Sequence, residues 1–262
     1  MDLKLKNKTA LVLSSSKGIG FGIAKALAKE NCNVIITSSN KKNIYLASKK
    51  IFSETGKKVS CYTLNLKKLN STIKSINKII KKNKKIDILI INGPGPIPME
   101  IEKLNIKSLK DSLNTNLISS ILITKKIIPI MKKNRFGRII NLASTTAKEP
   151  DPGMVLSNIA RAGIIAFSKT ASKEIAKYGI TNNSILIGGV MTDRTINLLK
   201  HEAKILKKNY NSVLKQAEKN IPIGFISSPE QFAHFITFLS SPLSIYINGA
   251  SIPVDGGLMK SI

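Results

Sequence analysis

The sequence predicts an α/β fold, a single doubly wound domain with a seven-stranded, mostly parallel sheet and helices on both faces. Short runs rich in Ile, Val and Leu alternate with segments of helical periodicity, as successive βαβ units require. Such continuous apolar runs are typical of strands covered on both faces. With 262 residues, of which 42% are hydrophobic, the chain can bury one large core. We find no internal repeat or long linker that would divide residues 1–262.

Seven apolar runs supply the predicted strands. They lie near residues 9–13, 33–37, 59–63, 86–91, 137–142, 182–187 and 249–253. The first run is followed by Ser-Ser-Ser-Lys-Gly-Ile-Gly at 14–20 and then by a helical pattern over 21–30. Gly18 and Gly20 permit close backbone approach, and the helix start presents free N–H groups and a positive dipole end. This turn therefore suits a pyrophosphate.

The formal charge of +27 raises the question of nucleic-acid binding. It comes from 42 Lys and Arg against 15 Asp and Glu, but the lysines are spread along the chain on predicted helix faces and loops. Aromatic residues, which would stack on single strands, make up only 5%. We therefore expect no specific nucleic-acid partner, and at most weak binding at low salt.

Membrane, secretory and metal-binding classes are not favoured either. The sequence has no apolar stretch long enough to cross a bilayer, and its first residues alternate instead of forming a signal-peptide core. Cys32 and Cys61 are too few for a disulfide framework, and their spacing is not that of a metal site. The sequence predicts a cytoplasmic protein without a metal site.

The turn at 14–20 and five further segments resemble, in order, the motifs of the short-chain dehydrogenase/reductase family. These segments lie at 86–93, 114–117, 137–144, 183–188 with Thr192, and 248–257. Together they extend over about residues 3–258. The resemblance implies a Rossmann fold that binds a nicotinamide dinucleotide and transfers hydride between the nicotinamide and a carbonyl or carbinol carbon. The chain departs from the usual motifs at Ser14, Pro94 and Ile187, where the family has Gly, Gly and Pro.

The resemblance places catalytic roles on Asn116, Ser144, Ser157 and Arg161. Ser157 and Arg161 stand where the family has its acid/base tyrosine and its lysine. A divergent branch of the family, in which Leu-Ser-Asn-x-x-Arg replaces this motif, shows the same pattern, and its members are commonly named oxoacyl-carrier-protein reductases or oxidoreductases. Arginine keeps the positive charge and can donate to ribose hydroxyls, whereas serine is a shorter and much weaker acid than tyrosine.

Cofactor-binding positions follow from the same resemblance. They are Ser14, Ser16, Lys17, Gly18, Ile19, Gly20, Ser38, Ser39, Asn40, Asn65, Leu66, Asn92, Gly93, Arg161, Gly188 and Thr192. Ser14 replaces a glycine whose conformation costs other residues about 1 to 2 kcal/mol, so strain is expected there. The amide oxygen of Asn65 would accept a hydrogen bond from the adenine.

The end of the second predicted strand favours NADP(H) over NAD(H). An acidic residue there would bind the ribose 2′-hydroxyl and repel a 2′-phosphate. This chain has Thr-Ser-Ser-Asn-Lys-Lys at 37–42, with no carboxylate, and Lys17 supplies another cation near Gly18. Charge complementarity therefore favours the phosphorylated cofactor.

Loss of the tyrosine does not exclude catalysis. A positioned general acid contributes about 3 to 5 kcal/mol, whereas holding hydride donor and acceptor together contributes about 7 to 11 kcal/mol. A water bound by Ser144, Ser157 and Arg161 could carry the proton. Tyr210 and His201 are alternative donors, although each is better interpreted as a solvated helix residue.

Two functions remain open at this point. The first is an NADP(H)-dependent oxidoreductase that acts on a small-molecule or carrier-bound ketone or secondary alcohol, with a 3-oxoacyl thioester as one candidate. The alternative is a noncatalytic dinucleotide-binding module that kept the fold and lost turnover. The resemblance also implies a substrate lid at about 193–225 and a homotetramer.

Overall fold

The seven-stranded parallel sheet predicted from the sequence is present in the computed structural model, which describes residues 1–261. The strand order is β3-β2-β1-β4-β5-β6-β7, and every neighbouring pair is parallel. The strands are β1 Thr9–Val12, β2 Asn33–Ser38, β3 Ser60–Thr63, β4 Ile88–Ile91, β5 Gly137–Leu142, β6 Ile180–Ile187 and β7 Ser251–Val254. The fold class is confirmed, and the sheet is wholly rather than mostly parallel.

Helices cover both faces of the sheet. Their bounds are α1 Gly18–Lys29, α2 Lys41–Thr55, α3 Leu69–Asn83, α4 Ile106–Leu113, α5 Ser119–Asn134, α6 Val155–Ile175, α7 Asp193–Ile205, α8 Tyr210–Lys219 and α9 Pro229–Leu239. Ala10 and Val12 of β1 pack with α1, α2 and α9 in one core, whereas Leu11 packs with α3 and α5 in the other. The period-2 alternation of strand side chains therefore divides one apolar run between two layers.

The parallel register brings three loops to the same edge of the sheet. Val12 of β1 is paired with Ile90 of β4, and Ile91 is paired with Asn141 of β5. All three strands run in the same direction, so the loops that follow residues 12, 91 and 142 leave the sheet side by side. Ligands of open α/β sheets bind at this carboxyl edge.

Strand β6 begins two residues earlier than predicted, because Ile180 and Thr181 pair with Gly137 and Arg138 of β5. The middle of the strand is polar and yet buried. Asn141 of β5 donates to the side-chain oxygen of Asn182 at 2.7 Å, and Ser168 of α6 also donates to that oxygen at 3.0 Å. Asn183 donates to the carbonyl of Ile247 at 2.8 Å. These bonds satisfy some of the buried polar groups, while Oδ1 of Asn141 and Nδ2 of Asn182 have no partner among the described residues.

The segment at 193–225 contains two helices with a small core of their own. Leu199 and Ala203 of α7 pack against Val213 of α8, apart from the two main cores. A short parallel bridge between Val190 and Ser227 closes the base of this segment. Within residues 1–261, no helix is both long and apolar enough to span a bilayer.

Candidate active site

The turn between β1 and α1 presents a helix N-terminus at the carboxyl edge. Lys17 is the N-cap residue in an extended conformation, and its side chain makes no capping hydrogen bond. Gly18 has a φ of 57°, and a Cβ placed on it would lie 3.4 Å from Cγ2 of Thr192. The first N–H groups of α1 therefore keep their capacity to bind an anion, and glycine leaves room for its approach.

Ser14 adopts the left-handed conformation that its position predicts, with a φ of 47°. Its N–H donates to Oγ1 of Thr37 at 3.1 Å, and its carbonyl accepts from Nδ2 of Asn92 at 3.0 Å. A Cβ on Gly20 would lie 2.6 Å from the same Asn92 nitrogen and from the Ser14 carbonyl oxygen. The turn is therefore fixed by β2 and by the loop after β4, and it requires glycine at position 20.

The end of β2 has hydroxyl, amide and ammonium groups and no carboxylate between residues 38 and 42. Ser16 donates to Oγ of Ser38 at 3.1 Å, which joins this strand end to the first turn. Ser39 is exposed, and the side-chain oxygen of Asn40 accepts from the N–H of Asn43 at 2.9 Å. Asn40 thereby caps α2, and its amide N–H donors remain for a ligand.

The loop after β4 passes between two side chains that were predicted from the sequence. A Cβ on Gly93 would lie 3.5 Å from Cδ1 of Leu66 and 3.6 Å from Oδ1 of Asn116. Asn116 lies in a π-helical turn, Asn114–Ile118, where its Nδ2 donates to the carbonyl of Ser112 at 3.2 Å. Its Oδ1 is buried without a partner among the described residues. An unsatisfied acceptor beside an open glycine is suited to a bound water or polar ligand group.

Three hydroxyls form a chain beside the loop after β5. Thr146 donates its N–H and its Oγ1 hydroxyl to Oγ of Ser144, at 3.3 and 3.2 Å. Its Oγ1 also lies 3.5 Å from Oγ of Ser157, and both Thr146 and Ser157 are buried. Because Ser144 accepts from Thr146, its own proton is free to point outward to a ligand.

Arg161 lies on α6 four positions after Ser157 and is 8% exposed. Its Nη1 donates to the carbonyl of Leu142, at the end of β5, over 2.8 Å. Burial and, to a lesser extent, the charge of Arg194 lower the pKa of Arg161 to about 10. The guanidinium therefore keeps its positive charge at neutral pH while several of its N–H donors stay free of described partners.

The start of α7 contacts both the turn before α1 and the loop after β4, and the space between these two is called the cleft below. Nζ of Lys17 lies 3.7 Å from a carboxylate oxygen of Asp193. Arg194 donates from Nη1 to the carbonyl of Gly95 and from Nη2 to that of Pro96, the latter at 2.6 Å. The first turn of α7 therefore lies over the space between α1 and the loop after β4.

Comparison with known proteins decides the family. The family described as enoyl-(acyl carrier protein) reductase matches residues 13–259. The chain belongs to the short-chain dehydrogenase/reductase family. This confirms the resemblance found in the sequence motifs and agrees with the seven-stranded parallel sheet.

Relatives within this family cover nearly the whole chain. The 3-oxoacyl-(acyl-carrier-protein) reductase of Aquifex aeolicus is 31% identical over 98% of this chain and 100% of its own length. The NADPH-dependent reductase BacG of Bacillus subtilis is also 31% identical, over 98% of this chain and 100% of its own. The crystal structure of L-sorbose reductase from Gluconobacter frateurii, complexed with NADPH and L-sorbose, has a TM-score of 0.95 at 25% identity, with full coverage of both chains.

Several residues that the short-chain dehydrogenase/reductase motifs single out lie at the carboxyl edge of the sheet, and two of the predicted amide oxygens already accept a hydrogen bond within the protein. The side-chain oxygen of Asn65 accepts from the N–H of Lys67 at 3.1 Å, and that of Asn40 caps α2. Gly188 is packed so closely on Asp255 that a Cβ would lie 2.7 Å from its Cα. His201 is exposed, and Tyr210 packs on the small core between α7 and α8.

Thr146 and Arg194 were missed from the sequence. Thr146 lies two residues after a recognised serine in a 3₁₀ turn, where threonine is unremarkable. Arg194 is one of 42 basic residues in the chain, so its type carried no signal. The one available clue was its place directly after Thr192 and Asp193, in the loop already assigned to the cofactor.

Replacing Ser14 by glycine should raise the free energy of unfolding by about 0.5 to 1 kcal/mol, because glycine relieves the left-handed strain at a smaller entropic cost. Chemical denaturation monitored by circular dichroism measures this change. Ser16→Gly is the matched control in the same turn. Its φ is not positive and its Oγ is bonded to Ser38, so it should lose stability. A Ser14→Gly variant no more stable than the parent would contradict the strain assigned to this turn.

Proposed function

We propose that this protein is an NADP(H)-dependent oxidoreductase that transfers hydride between the nicotinamide and a ketone or secondary alcohol. The observation that carries the proposal is the hydroxyl chain of Ser144, Thr146 and Ser157, which ends at the same sheet edge as the free N-terminus of α1. Arg161 adds a buried cation to that edge. A hydride acceptor bound there would meet a proton donor on one side and the cofactor on the other.

The cofactor proposal rests on charge and on space. The N-terminus of α1 would hold the diphosphate, with Gly18 and Gly20 allowing its approach. Ser39, Lys41 and the amide of Asn40 would receive the 2′-phosphate, since no carboxylate at the end of β2 repels it. The names of the reductase from Bacillus subtilis and of the sorbose reductase complex specify NADPH, which supports the phosphorylated cofactor.

The side chains would supply a proton where a tyrosine is missing. Bound NADPH supplies hydride to the carbonyl carbon. Ser144 would then give its proton to the carbonyl oxygen, Thr146 would replace that proton, and Ser157 would replace the one lost from Thr146, with solvent restoring Ser157. Arg161 would lie beside this chain and favour the developing negative charge on oxygen. Asn116 would hold a water through its unpartnered Oδ1.

The segment at 193–225 is proposed as the cover of the substrate site. Thr192 lies against Gly18, and Arg194 reaches the loop after β4, so the first turn of α7 spans the cleft. A 3-oxoacyl thioester is one candidate substrate, on the strength of the Aquifex aeolicus relative's name. A homotetramer and a cytoplasmic location remain predictions from the family resemblance.

Asn40→Asp should reverse the cofactor preference. Aspartate caps a helix as well as asparagine does, so α2 should remain intact, while the new carboxylate repels a 2′-phosphate. We expect the ratio of kcat/KM for NADPH to that for NADH to fall about tenfold or more. Asn105→Asp is the matched control, because Asn105 caps α4 by accepting from Ser108 at 3.0 Å. Equal effects of the two variants would argue against a 2′-phosphate site at the end of β2.

Removing the Thr146 hydroxyl should slow turnover without weakening cofactor binding. Thr146→Val keeps the shape but breaks the path between Ser144 and Ser157, so kcat should fall about 10²-fold. Thr146→Ser should restore most of the rate, and Thr145→Val should stay within about twofold of the parent. A solvent isotope effect on kcat, measured by NADPH absorbance, distinguishes a proton role from a packing role.

The noncatalytic module is the rival outcome of these measurements, and the replacement of the family's tyrosine and lysine by Ser157 and Arg161 is what favours it. Tight NADPH binding without oxidation across a panel of ketones and acetoacetyl thioesters would support the module. Turnover that disappears in Ser144→Ala would support the oxidoreductase.

A further inference from the structure

Two arginines reach the carboxyl edge of the sheet from different elements. Arg161 of α6 donates to the carbonyl of Leu142, the last residue of β5. Arg194 of α7 donates to the carbonyls of Gly95 and Pro96, in the loop after β4. Because β4 and β5 are paired neighbours, the two guanidinium groups contact the end of one strand and the loop that follows the other.

The pair has no acidic counterpart among residues 1–261. Neither guanidinium forms an ion pair with a described carboxylate. The nearest acid in sequence, Asp193, faces Lys17 instead. Asp87 lies at the opposite end of β4, where it accepts from the N–H of Thr9. Arg161 is buried and is bonded to one backbone carbonyl, so its charge has no carboxylate beside it at this edge.

The guanidinium of Arg194 packs directly on the backbone of the loop after β4. A Cβ on Gly95 would lie within the van der Waals distance of its guanidinium, which means that only glycine allows this approach. Nη1 and Nη2 each give one hydrogen to a carbonyl, so three of the five donors remain for a ligand. The residue as a whole is exposed, which leaves this side of the cleft open to solvent. Partial burial lowers the pKa of Arg194, and its charge also acts on Arg161.

We infer that the carbonyl substrate carries a carboxylate. This carboxylate would bind the guanidinium of Arg194, and the positive charge of Arg161 would stabilise it further. This inference rests on the proposed function, and it specifies the substrate as an oxo acid. The planar fork of arginine matches the two oxygens of a carboxylate better than it matches an ester or thioester. The cofactor's phosphates do not meet this need, because they are assigned to the start of α1 and the end of β2.

The test compares a charged substrate with a neutral one of the same shape. Acetoacetate, its methyl ester and an acetoacetyl thioester of pantetheine would be reduced with saturating NADPH. We expect kcat/KM to favour acetoacetate over the ester. Arg194→Gln should raise KM for acetoacetate about 10- to 100-fold, and KM for the ester by a much smaller factor, because the ester loses only the contact of α7 with the loop after β4. Lys215→Gln, which removes an exposed lysine of α8, is the matched control and should change neither.

A second variant tests the same site in case Arg194→Gln fails to fold. Gly95→Ala should displace Arg194 without removing its charge, and it should raise KM for acetoacetate while calorimetric NADPH affinity stays unchanged. Equal loss for acid and ester in Arg194→Gln, or a preference for the thioester over the acid, would overturn the inference and leave the reductase proposal intact. Failure to oxidise NADPH with all three compounds would instead count against the proposed function itself.

Discussion

The parallel register of β1, β4 and β5 is the constraint on which the rest of this structure depends. It ends three neighbouring strands at one edge, and so it places the α1 turn, the loop of Gly93 and Gly95, and the loop of Ser144 side by side. Polar contacts across this edge are then short-range, although they join residues far apart in sequence. Asn92, for example, fixes the Ser14 carbonyl across 78 positions. A shift in the register of β4 would separate the proposed cofactor site from the proposed proton path.

The chemistry proposed for this edge would depend on position more than on intrinsic acidity. A serine hydroxyl is a poor acid, but Thr146 orders Ser144 and connects it to Ser157 inside a buried environment where hydrogen bonds are stronger than in water. Arg161 keeps a fixed positive charge that does not depend on pH near neutrality. Orientation and electrostatics together contribute more to a hydride transfer than one general acid does. On the proposed function, these contributions would let the family's fold support turnover with Ser157 and Arg161 in place of the tyrosine and the lysine.

Much of the fold and part of the site could be predicted from the sequence, for reasons visible in individual residues. The apolar runs of β1, β4 and β5 are local patterns, and the strands lie within about two residues of the predicted bounds. Helix α1 begins at Gly18 rather than at residue 21, so Gly18 and Gly20 belong to its first turn. The start of β6 was predicted two residues too late because Ile180 and Thr181 join the strand by pairing with Gly137 and Arg138 of β5, residues distant in sequence. The sequence did not identify Thr146 and Arg194 as site residues for the same reason, since their role depends on contacts with other loops. The side-chain oxygens of Asn40 and Asn65 accept hydrogen bonds from nearby backbone N–H groups, and residue type alone does not reveal this local geometry.

The most direct test of the central claim is whether deuterium moves from NADPH to a carbonyl carbon on this protein. The purified enzyme would be incubated with NADPH labelled with ²H on C4 of the nicotinamide and with acetoacetate, its methyl ester or the thioester, and the alcohol product examined by NMR. Our account predicts ²H on the carbinol carbon, at a rate that falls in Ser144→Ala. Calorimetric binding of NADPH accompanied by no label in any alcohol would contradict it.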